Sequence, residues 1–204
     1  MVSGVSLFVA LFNNLAIFIA LVAVYGVMSG RFERDNGFER QLSTGLAFGL
    51  FAVGCMHAQI PVYQGVIVDQ RNAVVAMSGA FGGPWAGLVS ALLAGSYRAY
   101  LGGSGVLSGV TGIGLAALSG SCLNLHSGPP SNVRACAWTA LVCTAVILPG
   151  FLLVGSLRTG WNLMLAMMLP YGSAIMLGIF LVGLLLAREE SRYRTEKRFR
   201  QMVA

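Results

Sequence analysis

Six apolar runs of roughly membrane length follow one another along this chain, and they leave few folds open. They cover Val5–Met28, Leu42–Ile60, Ala73–Tyr97, Val106–Leu125, Ala135–Val154 and Trp161–Ala187. A helix needs about 20 apolar residues to cross the roughly 30 Å hydrocarbon core of a bilayer. Only 10% of the residues are charged, against 56% hydrophobic, and the mean hydropathy is +0.77. Water-soluble domains carry about a quarter charged residues, and a soluble fold of this composition would expose large apolar patches and aggregate. In lipid every backbone polar group needs an internal partner, so spans are helices or a closed barrel. The runs are continuous and do not alternate with period two, which selects helices. The expected fold class is therefore all-α integral membrane, a polytopic helical bundle of six to seven membrane segments. The first run is too long for a signal-peptide core and lacks a basic lead-in and a small-residue cleavage site, so it reads as a span.

The number of segments depends on one stretch, Asp69 to Gly105. Within it, two apolar arms flank Gly82-Gly83-Pro84. Asp69 and Arg71 precede the first arm, Arg98 follows the second, and Gly102-Gly103 forms a turn. A fold-back at Gly82-Gly83-Pro84 puts Arg71 and Arg98 on the same side of the membrane. A single straight span separates them.

Positive residues resist translocation, and this decides between the two. The tail carries Arg188, Arg192, Arg194, Lys197, Arg198 and Arg200 and belongs inside. With a straight span, the connector with Arg31, Arg34 and Arg40 lies outside, together with Arg98 and Arg158. With a hairpin, the N-terminus is outside, the connector is inside, and only Arg71, Arg98 and Arg158 are left outside. The hairpin fits better. Its difficulty is length, since Ala73–Gly82 makes only about 15 Å of helix. Either the first arm starts earlier, near Gly65, or the hairpin dips partway.

The glycines at 79, 83 and 87, and those at 105 and 109, recur at four-residue spacing, which lets helix backbones approach closely. Pro61 ends the second span, and a polar loop is expected from there to Asn72. Pro170 is expected to kink the last span, with Trp161 as an interfacial anchor. The four cysteines, Cys55, Cys122, Cys136 and Cys143, form no C-x-x-C pair and read as small packing residues. No metal site and no cofactor are expected. His57 lies within a span and His126 in a loop; His57 reads as a packing histidine or an intramembrane proton-sensing group. No H-E-x-x-H, P-loop or G-x-S-x-G pattern occurs, and the few carboxylates lie mostly in loops and tail, so this chain is not expected to be an enzyme. The net charge of +6 is concentrated in the tail, as expected at the inner membrane face rather than for a nucleic-acid surface.

The D-x-R at Asp69 and Arg71, the G-G-P at Gly82–Pro84, the Y-R at Tyr97–Arg98 and the G-G at Gly102–Gly103 resemble the LytS/YhcK-type five-transmembrane receptor domain. The resemblance runs from about Leu42 to Ala187, with the first span as an added element. It implies the membrane input module of a bacterial sensor histidine kinase or diguanylate cyclase, in the plasma (inner) membrane, with a cytoplasmic C-terminus and a homodimeric assembly. The tail E-K-R-F-R-Q-M-V-A looks like the lead-in to a PAS domain. Residues 1–187 then form the membrane-embedded sensor, and 188–204 a cytoplasmic signalling helix leading to an output domain that carries any enzymatic activity. The chain is also distantly similar to the S-components of energy-coupling-factor transporters, which implies the alternative of a solute-binding uptake subunit.

The expected ligand site is the mouth of the hairpin. Arg71 and Arg98 are expected to bind a small anion, a carboxylate such as a 2-oxo acid, because the planar guanidinium fork suits a carboxylate. Asp69 neutralises one of them. Ser104, Ser108 and Thr111 fall at i, i+4 and i+7 and are expected to offer hydroxyls from one face of the next helix, whose N-terminus also favours an anion. The resemblance implies the same, since arginines at these motif positions serve ligand sensing in some members, including pyruvate sensing. The alternative is that both arginines anchor to membrane lipid headgroups while Asp69 pairs with Arg71.

Overall fold

The computed structural model describes residues 17–27, 37–57, 60–63, 66–68, 70–103, 105–154 and 156–203. Asp69 and Ser104, and most of the first apolar run and of the charged connector, lie outside the described residues. The elements are α1 (Ile17–Val27), α2 (Gly37–His57), β1 (Ile60–Tyr63), β2 (Val66–Val68), α3 (Arg71–Gly82), α4 (Pro84–Leu101), α5 (Val106–Ser127), α6 (Val133–Ile147), a 3-10 turn (Leu148–Leu153), α7 (Leu157–Met168) and α8 (Pro170–Val203). The chain is a helical membrane bundle. Val106–Ser127, Val133–Leu153 and Pro170–Arg192 are each long and apolar enough to cross a bilayer.

The short helix α3 is the axis of the bundle. Every residue from Arg71 to Phe81 is buried, with α2, α4, α5 and α8 packed around it. A helix surrounded by protein needs no polar outer face. At its end Gly83 adopts φ +89° and ψ −177°, a conformation open to glycine alone, and Pro84 starts α4 as its first residue. The hairpin is thus confirmed. The Ser78 hydroxyl donates to the Ala86 carbonyl at 2.9 Å and ties the two arms. The tip is capped from α2, where Gln41 Oε1 accepts from the Trp85 backbone N–H at 3.1 Å.

Small residues permit this packing. A Cβ on Gly79 would come within 2.7 Å of the Ser121 nitrogen on α5, and one on Gly87 within 3.2 Å of the Gly79 Cα. On the facing helix, a Cβ on Gly120 would run into the Ala76 carbonyl oxygen. The four-residue spacing therefore serves close approach at Gly79 and Gly87, whereas Gly83 serves the turn.

Three expectations change. The segment after Pro61 is not a plain polar loop: Ile60–Tyr63 and Val66–Val68 pair as an antiparallel hairpin. The first arm starts at Arg71 and not near Gly65. The last span is not one uninterrupted helix: α7 ends at Met168 and α8 begins with Pro170, with Leu169 between them still at φ −75° and ψ −59°, so the interruption falls at the expected proline and Trp161 belongs to a separate short helix. Proline lacks the N–H that would continue α7 and suits the first turn of a new helix. In α8 a stripe of Tyr171, Ile175, Ile179, Val182 and Leu186 is buried, at the spacing of one helix face.

Candidate functional site

The two ends of the hairpin bring Arg71 and Arg98 together. Arg71 opens α3 and Arg98 closes α4, and both are buried, at 5% and 1% exposure. They converge on α5 at a residue with no side chain. A Cβ on Gly109 would lie 2.8 Å from Arg98 Nε and 3.1 Å from Arg71 Nη2. The Gly105–Gly109 spacing thus makes room for guanidinium groups and not for a helix backbone. Arg98 Nη1 also donates to the Gly102 carbonyl at 2.6 Å, fixing the Gly102–Gly103 turn, where φ is +69° and +93°.

Both arginines line a cavity of about 30 Å³. One wall is the α5 face of Gly105, Ser108, Gly109 and Gly112. The opposite side is Ile147, Gly150, Phe151 and Val154, with Tyr171 at the start of α8. Asn72 completes the α3 side. At about 10–15 Å³ per water, the space suits a ligand group of a few heavy atoms. The lining described here includes two cations and no carboxylate.

The site lies far from the hairpin tip. From the tip, Arg71 is about 18 Å and Arg98 about 21 Å along their helices, at 1.5 Å per residue. Both guanidiniums therefore lie at the open end of the hairpin, where β1 and β2 lead into α3.

The other expected residues fall as follows. Ser108 lines the cavity, but its hydroxyl donates to the Gly150 carbonyl at 2.8 Å, so it offers a ligand only lone pairs. Thr111 is not among the lining residues; Gly112 takes that place on the face. The helix begins at Val106, capped by Gly105. Asp69 and Ser104 lie outside the described residues. His57 is exposed at the end of α2, stacked on Tyr97 at 5.5 Å, and its ring nitrogens contact Val53 O and Tyr97 Oη at 3.1 Å each. It ends a helix instead of sitting within one. Two polar lining residues escaped the sequence reading. Asn72 follows Arg71 directly, and its Nδ2 donates to the Tyr171 hydroxyl at 2.8 Å; the polar residue opening an apolar run was its only signal. Nothing in the sequence joined Tyr171 to it.

A larger cavity of about 220 Å³ lies at the other end of α8, between Pro129–Ser131 and a face with Ala187, Glu190, Ser191 and Thr195. Among the described residues, its lining includes no cation. Among the described residues no group of three or more His, Cys, Asp or Glu side chains is placed to hold a metal.

A helix pair surrounded by membrane spans, with two buried arginines beside a small cavity, defines a polytopic helical membrane protein. The sequence profile of the family described as 5TMR of 5TMR-LYT matches residues 25–189, and the chain belongs to that family. The family is a transmembrane, non-catalytic sensor domain of LytS-like signalling proteins. No curated protein and no solved structure matches the chain.

Proposed function

We propose that this chain is the ligand-sensing input domain of a bacterial signalling protein, of the histidine kinase or diguanylate cyclase kind, in the plasma membrane. It binds a small carboxylate at the outer side between Arg71 and Arg98, with pyruvate as the first test ligand. It then transmits through α8, as a homodimer with its C-terminus in the cytoplasm. The observation that carries this reading is the convergence of both guanidiniums on Gly109 beside a cavity.

Two guanidiniums can each give a charge-assisted, two-pronged contact to a carboxylate. A low-dielectric site strengthens that attraction. The N-terminal turn of α5 adds partial positive charge along the same wall. Tyr171 supplies the link to output. It lines the cavity and belongs to the helix that runs on, without a break, to Val203. A ligand that moves Tyr171 acts directly on that rod.

The test is calorimetry on the purified chain in lipid nanodiscs, titrated with pyruvate and acetate. Binding that Arg71→Ala and Arg98→Ala each weaken at least tenfold supports the site. Binding unchanged in either folded variant rules it out.

A further inference from the structure

The cavity holds one more polar atom whose chemistry narrows the ligand. Asn72 is 5% exposed and lines the cavity. Its Nδ2 donates to Tyr171 at 2.8 Å, and its Oδ1 is buried with no hydrogen-bond partner. The amide nitrogen also faces the α5 wall. A Cβ on Gly112 would lie 3.2 Å from Nδ2 but 3.9 Å from Oδ1. The nitrogen donates to Tyr171 with the α5 wall beside it, and the atom left over is an acceptor.

A buried acceptor without a donor is destabilising, and native proteins retain few of them. Here the atom shares its small cavity with two guanidiniums. These supply N–H donors only; the site therefore has positive charge for an anion and, separately, one demand for a donor. A ligand that satisfies both carries an anionic group and a hydrogen it can give. An ammonium group would meet this demand but be repelled by the two arginines. A hydroxyl meets it without charge.

We propose that Asn72 makes this site selective for small carboxylates bearing a hydroxyl, the 2-hydroxy acids, over the matching 2-oxo acids. This rests on the two-arginine reading above and goes beyond it. The carboxylate lies on Arg71 and Arg98, and the neighbouring hydroxyl donates to Asn72 Oδ1. A 2-oxo group in the same place points a lone pair at Oδ1 and leaves the acceptor unsatisfied. Sites built around a ligand hydroxyl reject analogues that lack it far more strongly than they reject a change in size.

The experiment compares L-lactate, pyruvate and acetate by calorimetry on the full chain in nanodiscs. The wild type should bind lactate at least about tenfold tighter than pyruvate, the loss expected for one unsatisfied buried group. Asn72→Ala should bring the two affinities within about threefold of each other while acetate binding changes little. Pyruvate binding as tightly as lactate, with both still dependent on Arg71 and Arg98, overturns the selectivity and leaves the arginine site standing. Absence of binding by all three overturns both. The wild-type ratio decides the matter even if Asn72→Ala does not fold.

Discussion

Arg40 and Glu190 meet at 3.4 Å, although 150 positions separate them. Arg40 lies near the start of α2 and Glu190 on the charged continuation of α8. The same carboxylate oxygen accepts from the Tyr25 hydroxyl of α1 at 3.3 Å. The end of α1, the start of α2 and the tail are therefore on one side of the bundle. A straight span at residues 73–97 would put the Arg40 region and the tail on opposite sides, so this contact selects the hairpin. The ion pair itself is worth little, since the Arg40 side chain is 41% exposed and such pairs contribute under about 1 kcal/mol.

Sidedness follows from that geometry together with the distribution of basic residues. With exposed Cys122 changed to serine, single cysteines at Tyr100→Cys and Arg192→Cys should label from opposite sides of the membrane. An impermeant thiol reagent added outside intact cells should reach position 100 and not position 192. Labelling of both from one side would sink the topology.

Removing either arginine should weaken carboxylate binding by about 1.5–3 kcal/mol for each charged hydrogen bond lost. Arg98→Lys tests the geometry, because it keeps the charge and loses the planar fork. Its affinity should fall between those of wild type and Arg98→Ala in a titration with acetate.

Gly109→Ala should displace the guanidiniums, since its Cβ would come within 2.8 Å of Arg98 Nε. Gly114, on the same helix, has nothing within 4 Å of a Cβ. Gly114→Ala should leave binding unchanged and slightly favour the helix. Measured side by side, Gly109→Ala should lose at least tenfold in acetate affinity. Equal affinities for the two variants would remove Gly109 from the site.

Hairpin variants should act on stability. Gly83→Ala places a side chain at φ +89°, where a Cβ also meets Gln41 Oε1 at 2.9 Å; strain of this kind costs about 1–3 kcal/mol. Gly120→Ala forces α3 and α5 apart at Ala76, with an overpacking cost of similar size. Thermal unfolding in detergent should show both well below wild type, with Gly95→Ala, open for 4 Å around its Cβ, as the neutral control.

Transmission through α8 has a rotational test. One residue inserted after Arg188 turns everything beyond it by about 100°. In a signalling protein carrying this domain, output should vary with insertions of one to four residues and partly recover near a full turn. Output that ignores all four insertions would exclude α8 as the transmitter.

How far the site could be read in advance depended on which interactions are local. Arg71, Arg98 and the Gly-Gly-Pro break were visible because charge inside an apolar chain, and glycine before proline, each have few physical explanations. Asn72 and Tyr171 were not, because an asparagine beside an arginine and a tyrosine after a proline have many. Ser108 and Thr111 were placed on one face by spacing alone. The face turned toward the cavity is instead that of Gly105, Ser108, Gly109 and Gly112, since helix rotation is set by neighbours and not by the helix's own residues.

The sequence by itself determined the solvent, the helical class and the place of the reversal, because hydrocarbon excludes unpaired backbone and only glycine tolerates the geometry at position 83. It also placed two cations at the hairpin's open end. Tertiary structure alone decided that α3 is the buried axis, that Pro170 separates two helices, and that Gly109 is the point where both guanidiniums meet. It alone joined Asn72 of α3 to Tyr171 of α8. Those outcomes depend on side chains from distant segments filling a common volume, and that volume exists only once the helices have packed.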